Sequence, residues 1–256
     1  MIEVALRQVR DRIAEAALRA GRSPADVRLV AVTKTFPVEA ILEAHAAGQR
    51  DFGENRPEEG AEKIPRVVGR LAGQVHRSGP DDVLARSVDA PVWHMIGHIQ
   101  SRKADLVIAH FDVVHAVDRQ KLARSLSQLA LEAGCRIPVM LECNVSGEAS
   151  KYGYAAANWE MDASVRQTLL AEATAVVGLP GLRVEGLMTV APISEDREST
   201  RKVFASLRGL RDLLREQFPE LGWPELSMGM TDDFEVAVSE GATLVRIGRA
   251  IFGSRA

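Results

Sequence analysis

"ELSMGMTDDFEVAVSEGATLVRIGRAIFG", residues 225–253, is the stretch that decides the fold. It holds two consecutive units in which a short apolar run reaches a glycine and passes into a helix start. One run covers 225–229 and closes on Gly229; the other covers 243–247 and is followed by Gly248, with an amphipathic segment over 232–240 between them. Strand, glycine, helix, strand is the pattern of a parallel sheet with helical crossovers. Outward from there the same alternation fills the chain. Strands are expected at 28–33, 50–53, 91–96, 112–117, 137–144 and 182–188, and helices at 37–47, 57–64, 100–109, 118–133, 157–176 and 196–217. Eight such units in 256 residues predict one (β/α)8 barrel over residues 1–256, with an open doubly wound sheet as the alternative. Ahead of the first strand, Ile2, Leu6, Val9, Ile13 and Ala16 recur at helical spacing before Gly21, which adds an N-terminal helix. Residues 65–90 carry Pro65, Gly69, Gly73, Gly79 and Pro80 and are expected as a surface excursion.

Composition narrows the function classes. A formal net charge of -3 and 5 % aromatic residues supply neither the basic stripe nor the stacking faces of a nucleic-acid binder, so small molecules are the expected partners. Glu3, Arg7, Arg10, Asp11 and Arg12 interrupt the amino-terminal segment, which therefore does not read as a targeting peptide. No apolar run approaches the roughly 18 residues of a membrane span. Cys135 and Cys143 lack CxxC spacing and suit a reducing compartment. A cytoplasmic monomer with no membrane partner is the expectation.

In a barrel of this type the residues after each strand line the functional face. Here they are polar: Lys34, then Glu54 and Asn55, His94 with Gly97 and His98, Asp118, Asn144 and Ser146, Thr189, Thr231 with Asp232, and Gly248. Asp118 and Asp232 are expected as helix caps. Gly229 and Gly248 read either as turn glycines or as an anion cradle, because loops after the seventh and eighth strands of such barrels hold phosphate. The Lys-Ser/Thr pair of a Walker loop is absent after Gly253, and so is a GxSxG elbow. His94 and His98 lack a third ligand at metal spacing, and His115 reads as a surface or core histidine. Lys34 closes the apolar run 27–32; it either snorkels to solvent or is held as a neutral nucleophile. A phosphorylated aldehyde such as pyridoxal 5'-phosphate, joined to Lys34 as a Schiff base, would use both the lysine and the cradle.

The motifs "AVTKTFP", "FGEN", "WHMIGHIQSRK", "NVSGEASKYGY", "GLMTVAP" and "LSMGMTDDFEVAVSEGATLVRIGRAIFG" stand in one order over nearly the whole chain. In that order and spacing the sequence resembles the pyridoxal phosphate homeostasis (YggS/PROSC) family. The resemblance implies an alanine-racemase-type fold type III barrel without a C-terminal β domain, and a cofactor-binding role in homeostasis without established turnover. It implies Lys34 as the Schiff-base lysine, Asn55 and Met188 beside the pocket, Ser227, Gly229 and Thr231 in the phosphate loop, and Arg246 facing the pyridine nitrogen. Gly248 with Arg249 would make the second phosphate contact. Arg249 departs from the threonine or serine common there, "GENRPEE" departs at Arg56, Pro57 and Glu58, and the 65–90 segment is longer than usual. Transient contact with apo-enzymes that use the cofactor is the expected partnership. The competing expectations are an amino-acid racemase of the same fold and a phosphosugar enzyme using the same barrel phosphate site. The racemase is disfavoured because the sequence ends at Ala256 without the β domain that supplies a second base.

Overall fold

The computed structural model describes residues 1–72, 89–194 and 196–253. After α1 (Ile2–Arg19), strands and helices alternate: β1 (Arg28–Val32), α2 (Val38–Ala46), β2 (Asp51–Glu54), α3 (Pro57–Ala72), β3 (Val92–Met95), α4 (Ala104–His110), β4 (Val113–Val117), α5 (Gln120–Glu132) and β5 (Ile137–Asn144). Then come β6 (Tyr154–Ala155), α6 (Ala163–Val177), β7 (Leu182–Met188), α7 (Arg197–Gln217), β8 (Glu225–Ser227), α8 (Phe234–Ser239), β9 (Leu244–Ile247) and α9 (Arg249–Phe252). Hydrogen bonding runs β1-β2-β3-β4-β5-β7-β8-β9 and back to β1, so eight strands close a parallel barrel. The open-sheet alternative is excluded by the pairing of β9 with β1. The two-residue β6 lies outside the ring, on the tip of β5.

Two cores follow from strand alternation. Leu29, Ala31, Phe52, Val114, Val117, Val139 and Leu141 point outward into the layer shared with the helices, whereas Val30, Ala116, Met140, Met188 and Leu244 form a small inner cluster. Strand β4 breaks the alternation: Val114 pairs with Val139 but Val117 with Leu141, so β4 carries one extra residue. Val113 packs on the inner cluster, and both His115 and Ala116 then face inward.

The expected 57–64 helix is longer than its sequence suggests. Gly60, Lys63, Ile64 and Val67 keep one buried stripe running through Pro65, and that packing carries α3 on to Ala72. The first eight residues of the expected 65–90 excursion are therefore helical; of the rest, 73–88 lie outside the described residues. Among the described residues no helix is long and apolar enough to cross a membrane.

Candidate functional site

The β1–β9 register sets the site. Val30 lies beside Arg246 and Ala31 beside Ile247, so Val32 comes next to Gly248, where a Cβ on the glycine would stand 3.1 Å from the Val32 carbonyl oxygen. Half-buried Lys34 sits two residues further along the chain. Thr35 follows it at φ 69, in the left-handed region that a β-branched residue seldom adopts, and its N–H donates to Glu59 Oε1. Beneath this turn, Glu54 Oε1 accepts from Thr33 Oγ1 at 2.7 Å and from Lys63 Nζ at 2.8 Å. Lys63 also donates to the Thr33 carbonyl at 2.7 Å and lies 2.7 Å from Glu59 Oε1. Burial raises the Glu54 pKa, and the Lys63 charge and hydrogen bond oppose that rise. Sequence reasoning placed Glu54 at a strand end but missed Lys63; the Glu59/Lys63 spacing on the buried stripe of α3 was the available signal.

Arg246 projects from β9 and is buried. Its Nη1 donates to Ser227 Oγ at 2.5 Å and its Nη2 to the Thr189 carbonyl at 2.8 Å. Burial lowers its pKa to about 10, with Asp233 and Glu142 acting against that shift through space. Among the described residues it has no ion-pair partner. The Ser227 hydroxyl is thus turned to Arg246, and also to His115. Glu142, on β5 in register with Met188, is buried with Oε2 unpaired. Burial, then the neighbouring Asp118 charge, raises its pKa to about 7, and Arg246 pulls the other way.

The other expected site residues are distributed around the same end of the barrel. Asn55 follows β2, and Gly97 packs so tightly on it that a Cβ would lie 2.3 Å from the Asn55 carbonyl oxygen. Met188 is buried in the inner cluster. Gly229 adopts φ +94, where a Cβ would come within 2.6 Å of Ala237 Cβ; its carbonyl accepts from the Arg246 N–H at 2.9 Å. Half-buried Thr231 follows in the same loop. Exposed Arg249 makes a two-pronged contact with Asp232, at 2.6 and 2.5 Å. Neither Asp232 nor Asp118 is a helix cap. Their helices begin later, with Asp233 and Arg119 at the N-caps, so both carboxylates turn to neighbouring side chains. Asp118 Oδ2 holds His98 Nδ1 at 2.8 Å, and the His98 ring stacks on Tyr152 with centroids 3.9 Å apart. Among the described residues no group of three or more His, Cys, Asp or Glu side chains could hold a metal ion.

Residues 4–256 match the family described as alanine racemase, N-terminal domain. The chain is 44 % identical over 249 residues to the pyridoxal phosphate homeostasis protein of Pseudomonas aeruginosa, covering 97 % of this chain and 93 % of that one. It belongs to the pyridoxal phosphate homeostasis protein family. PipY of Synechococcus elongatus, whose solved structure has PLP bound, superposes with a TM-score of 0.73 at 35 % identity, covering 94 % of this chain and 100 % of that one. An alanine racemase from Clostridium difficile shares the fold alone, with a TM-score of 0.64 at 13 % identity over 99 % of this chain and 56 % of its own. The barrel described above is thus the fold of the homeostasis family and of the racemase domain alike.

Proposed function

We propose that this chain binds pyridoxal 5'-phosphate at the carboxyl end of the barrel, joined through the aldehyde carbon to Lys34, and serves to hold the cofactor and release it. The β1–β9 register carries this reading, because it sets Lys34, Gly248 and the buried Arg246 on two adjacent strand ends. The residues fit the cofactor. Among the described residues the buried Arg246 guanidinium hydrogen-bonds to a hydroxyl and a carbonyl and is suited to face a ring nitrogen. Gly229, Thr231 and Gly248 with Arg249 lie where barrel loops hold phosphate, Met188 underlies the mouth and Asn55 borders it.

When bound, the cofactor supplies an electrophilic carbonyl and an electron-withdrawing ring. The chain's own groups favour holding it. Arg246 stays protonated and does not readily pass a proton to the ring nitrogen, which leaves the ring a weak electron sink. Transient contact with apo-enzymes that need the cofactor completes the reading. So do a monomeric state and a cytoplasmic location, the last supported by two free cysteines.

The test is the absorption spectrum of the purified protein before and after borohydride, with mass mapping of the modified lysine. A visible band lost on reduction, with the label on Lys34, is expected; Lys34→Ala should remove the band and leave the fold. Lys103 and Lys151 are paired with Glu58 and Glu148, and a label on either overturns the assignment.

One observation favours a second reading, an amino-acid racemase: the His98–Asp118 pair is a carboxylate-oriented imidazole after β3, which would provide a second proton carrier besides Lys34. L-Alanine incubated with the loaded protein in deuterated water separates the two. The carrier reading expects the L form retained; D-alanine appearing at tens of turnovers per second, an ordinary enzyme rate of about that order, overturns it.

A further inference from the structure

Arg246 is one end of a chain of side chains that crosses the barrel interior. Beyond Ser227 Oγ, His115 Nδ1 stands at 2.8 Å; His115 Nε2 lies 2.8 Å from His94 Nδ1, and His94 Nε2 lies 2.9 Å from Asp51 Oδ1. Ser227, His115 and His94 have no exposed surface. Asp51 opens β2 at the amino end of the barrel, 3.7 Å from Arg28.

Only one arrangement of protons satisfies every member. Arg246 can only donate and the Asp51 carboxylate can only accept. Ser227 therefore accepts from Arg246 and donates its hydroxyl hydrogen bond to His115 Nδ1; His115 donates from Nε2 to His94 Nδ1; His94 donates from Nε2 to Asp51. Reversing both imidazoles would aim two donors at Ser227 Oγ, strand its hydroxyl proton, and set a lone pair of His94 against the carboxylate. A second proton on His115 would turn Nδ1 into a donor and strand the Ser227 hydroxyl proton in the same way. The charges around His115 agree: burial lowers its pKa well below the usual imidazole value, and His94, Arg246 and Arg28 push the same way.

We propose that His115, fixed as the neutral Nε2–H form by His94 and Asp51, is a positioning residue that orients Arg246 through Ser227, so that the cofactor's ring partner is set by a relay anchored at the opposite end of the barrel. This rests on the reading that Arg246 faces the cofactor ring. The relay explains why two adjacent strands spend interior positions on histidines where β1, β5, β7 and β9 place Val30, Met140, Met188 and Leu244. It also gives Ser227 a task besides any contact with phosphate.

The relay is tested first without cofactor, by the nitrogen NMR shifts of the two histidines in the full-length apo-protein. Both should show a bare Nδ1 and a protonated Nε2 near neutral pH. Asp51→Asn, which keeps an acceptor, should preserve that signature, and Asp51→Leu should lose it. With cofactor, Ser227→Ala and His115→Phe should each weaken PLP binding by about tenfold, the scale of one buried hydrogen bond, while borohydride still labels Lys34. The reverse tautomers, or wild-type PLP affinity in both variants, overturn the relay while leaving the binding reading intact. A wild type that binds no PLP overturns the binding reading, and with it the role given to Arg246. Ser227→Ala removes one oxygen and remains informative if His115→Phe does not fold.

Discussion

Lys63 on α3 sets its ammonium 2.8 Å from Glu54 Oε1 on β2, a carboxylate with no exposed surface. Removing one partner of such a pair leaves an uncompensated buried charge, so Lys63→Met should destabilise the fold by about 3–5 kcal/mol near neutral pH. The raised Glu54 pKa would rise further in the variant. Its stability deficit, measured by urea denaturation, should therefore shrink as pH falls and Glu54 takes up a proton. A deficit that does not change with pH would show that Lys63 contributes packing alone.

Glu142 predicts a stability slope of its own. Its pKa rises from 4.5 to about 7 on folding, so between those values the native state holds a proton that the unfolded state has released. Stability falls as pH rises through that window. Glu142→Gln cannot lose the proton, and should be more stable than wild type by up to about 3 kcal/mol at pH 8 and nearly equal to it at pH 4. Parallel stability curves for the two proteins would contradict the burial account.

Arg249 stands where relatives of this sequence were expected to offer a hydroxyl, and the structure commits its guanidinium to Asp232. An exposed pair of this kind contributes about 1 kcal/mol or less. Arg249→Thr should accordingly change PLP affinity, followed by fluorescence titration, by no more than about fivefold. A loss of several hundredfold would make the side chain a principal ligand.

Gly97 has no room for a methyl group. In Gly97→Ala the new Cβ would meet the Asn55 carbonyl oxygen at 2.3 Å, a backbone atom that cannot swing aside. The expected cost is about 1–3 kcal/mol of stability, together with a fall in PLP affinity larger than that of Arg249→Thr because Asn55 itself is displaced. An alanine variant with wild-type melting temperature and affinity would remove Asn55 from the site.

The barrel was legible because its strands are short apolar runs punctuated by turn residues, and all eight lie within about two residues of expectation. What escaped were features that depend on three dimensions. Pro65 and Gly69 read as helix breakers, but the buried face of α3 outweighs them. Asp118 and Asp232 looked like caps because an acidic residue before a helix usually is one; the true helix starts lie beyond them. His94 and His115 carry no sequence sign that they touch, since the hydrogen bond between them spans adjacent strands. Lys34 and the two loop glycines were singled out by strand-end position, whereas Arg246, inside β9, was singled out by the family resemblance alone.

The extra residue in β4 divides that strand into two phases. Below it the odd-numbered positions, Val113 and His115, look into the barrel; above it the even-numbered ones do, from Ala116 toward Asp118. Loss of a single residue there would move Asp118 out of phase and present Val117 to the mouth in its place. One backbone irregularity thus lets a five-residue strand serve the buried relay at one level and the His98 contact at the next, a pairing of tasks that strict two-residue alternation would forbid.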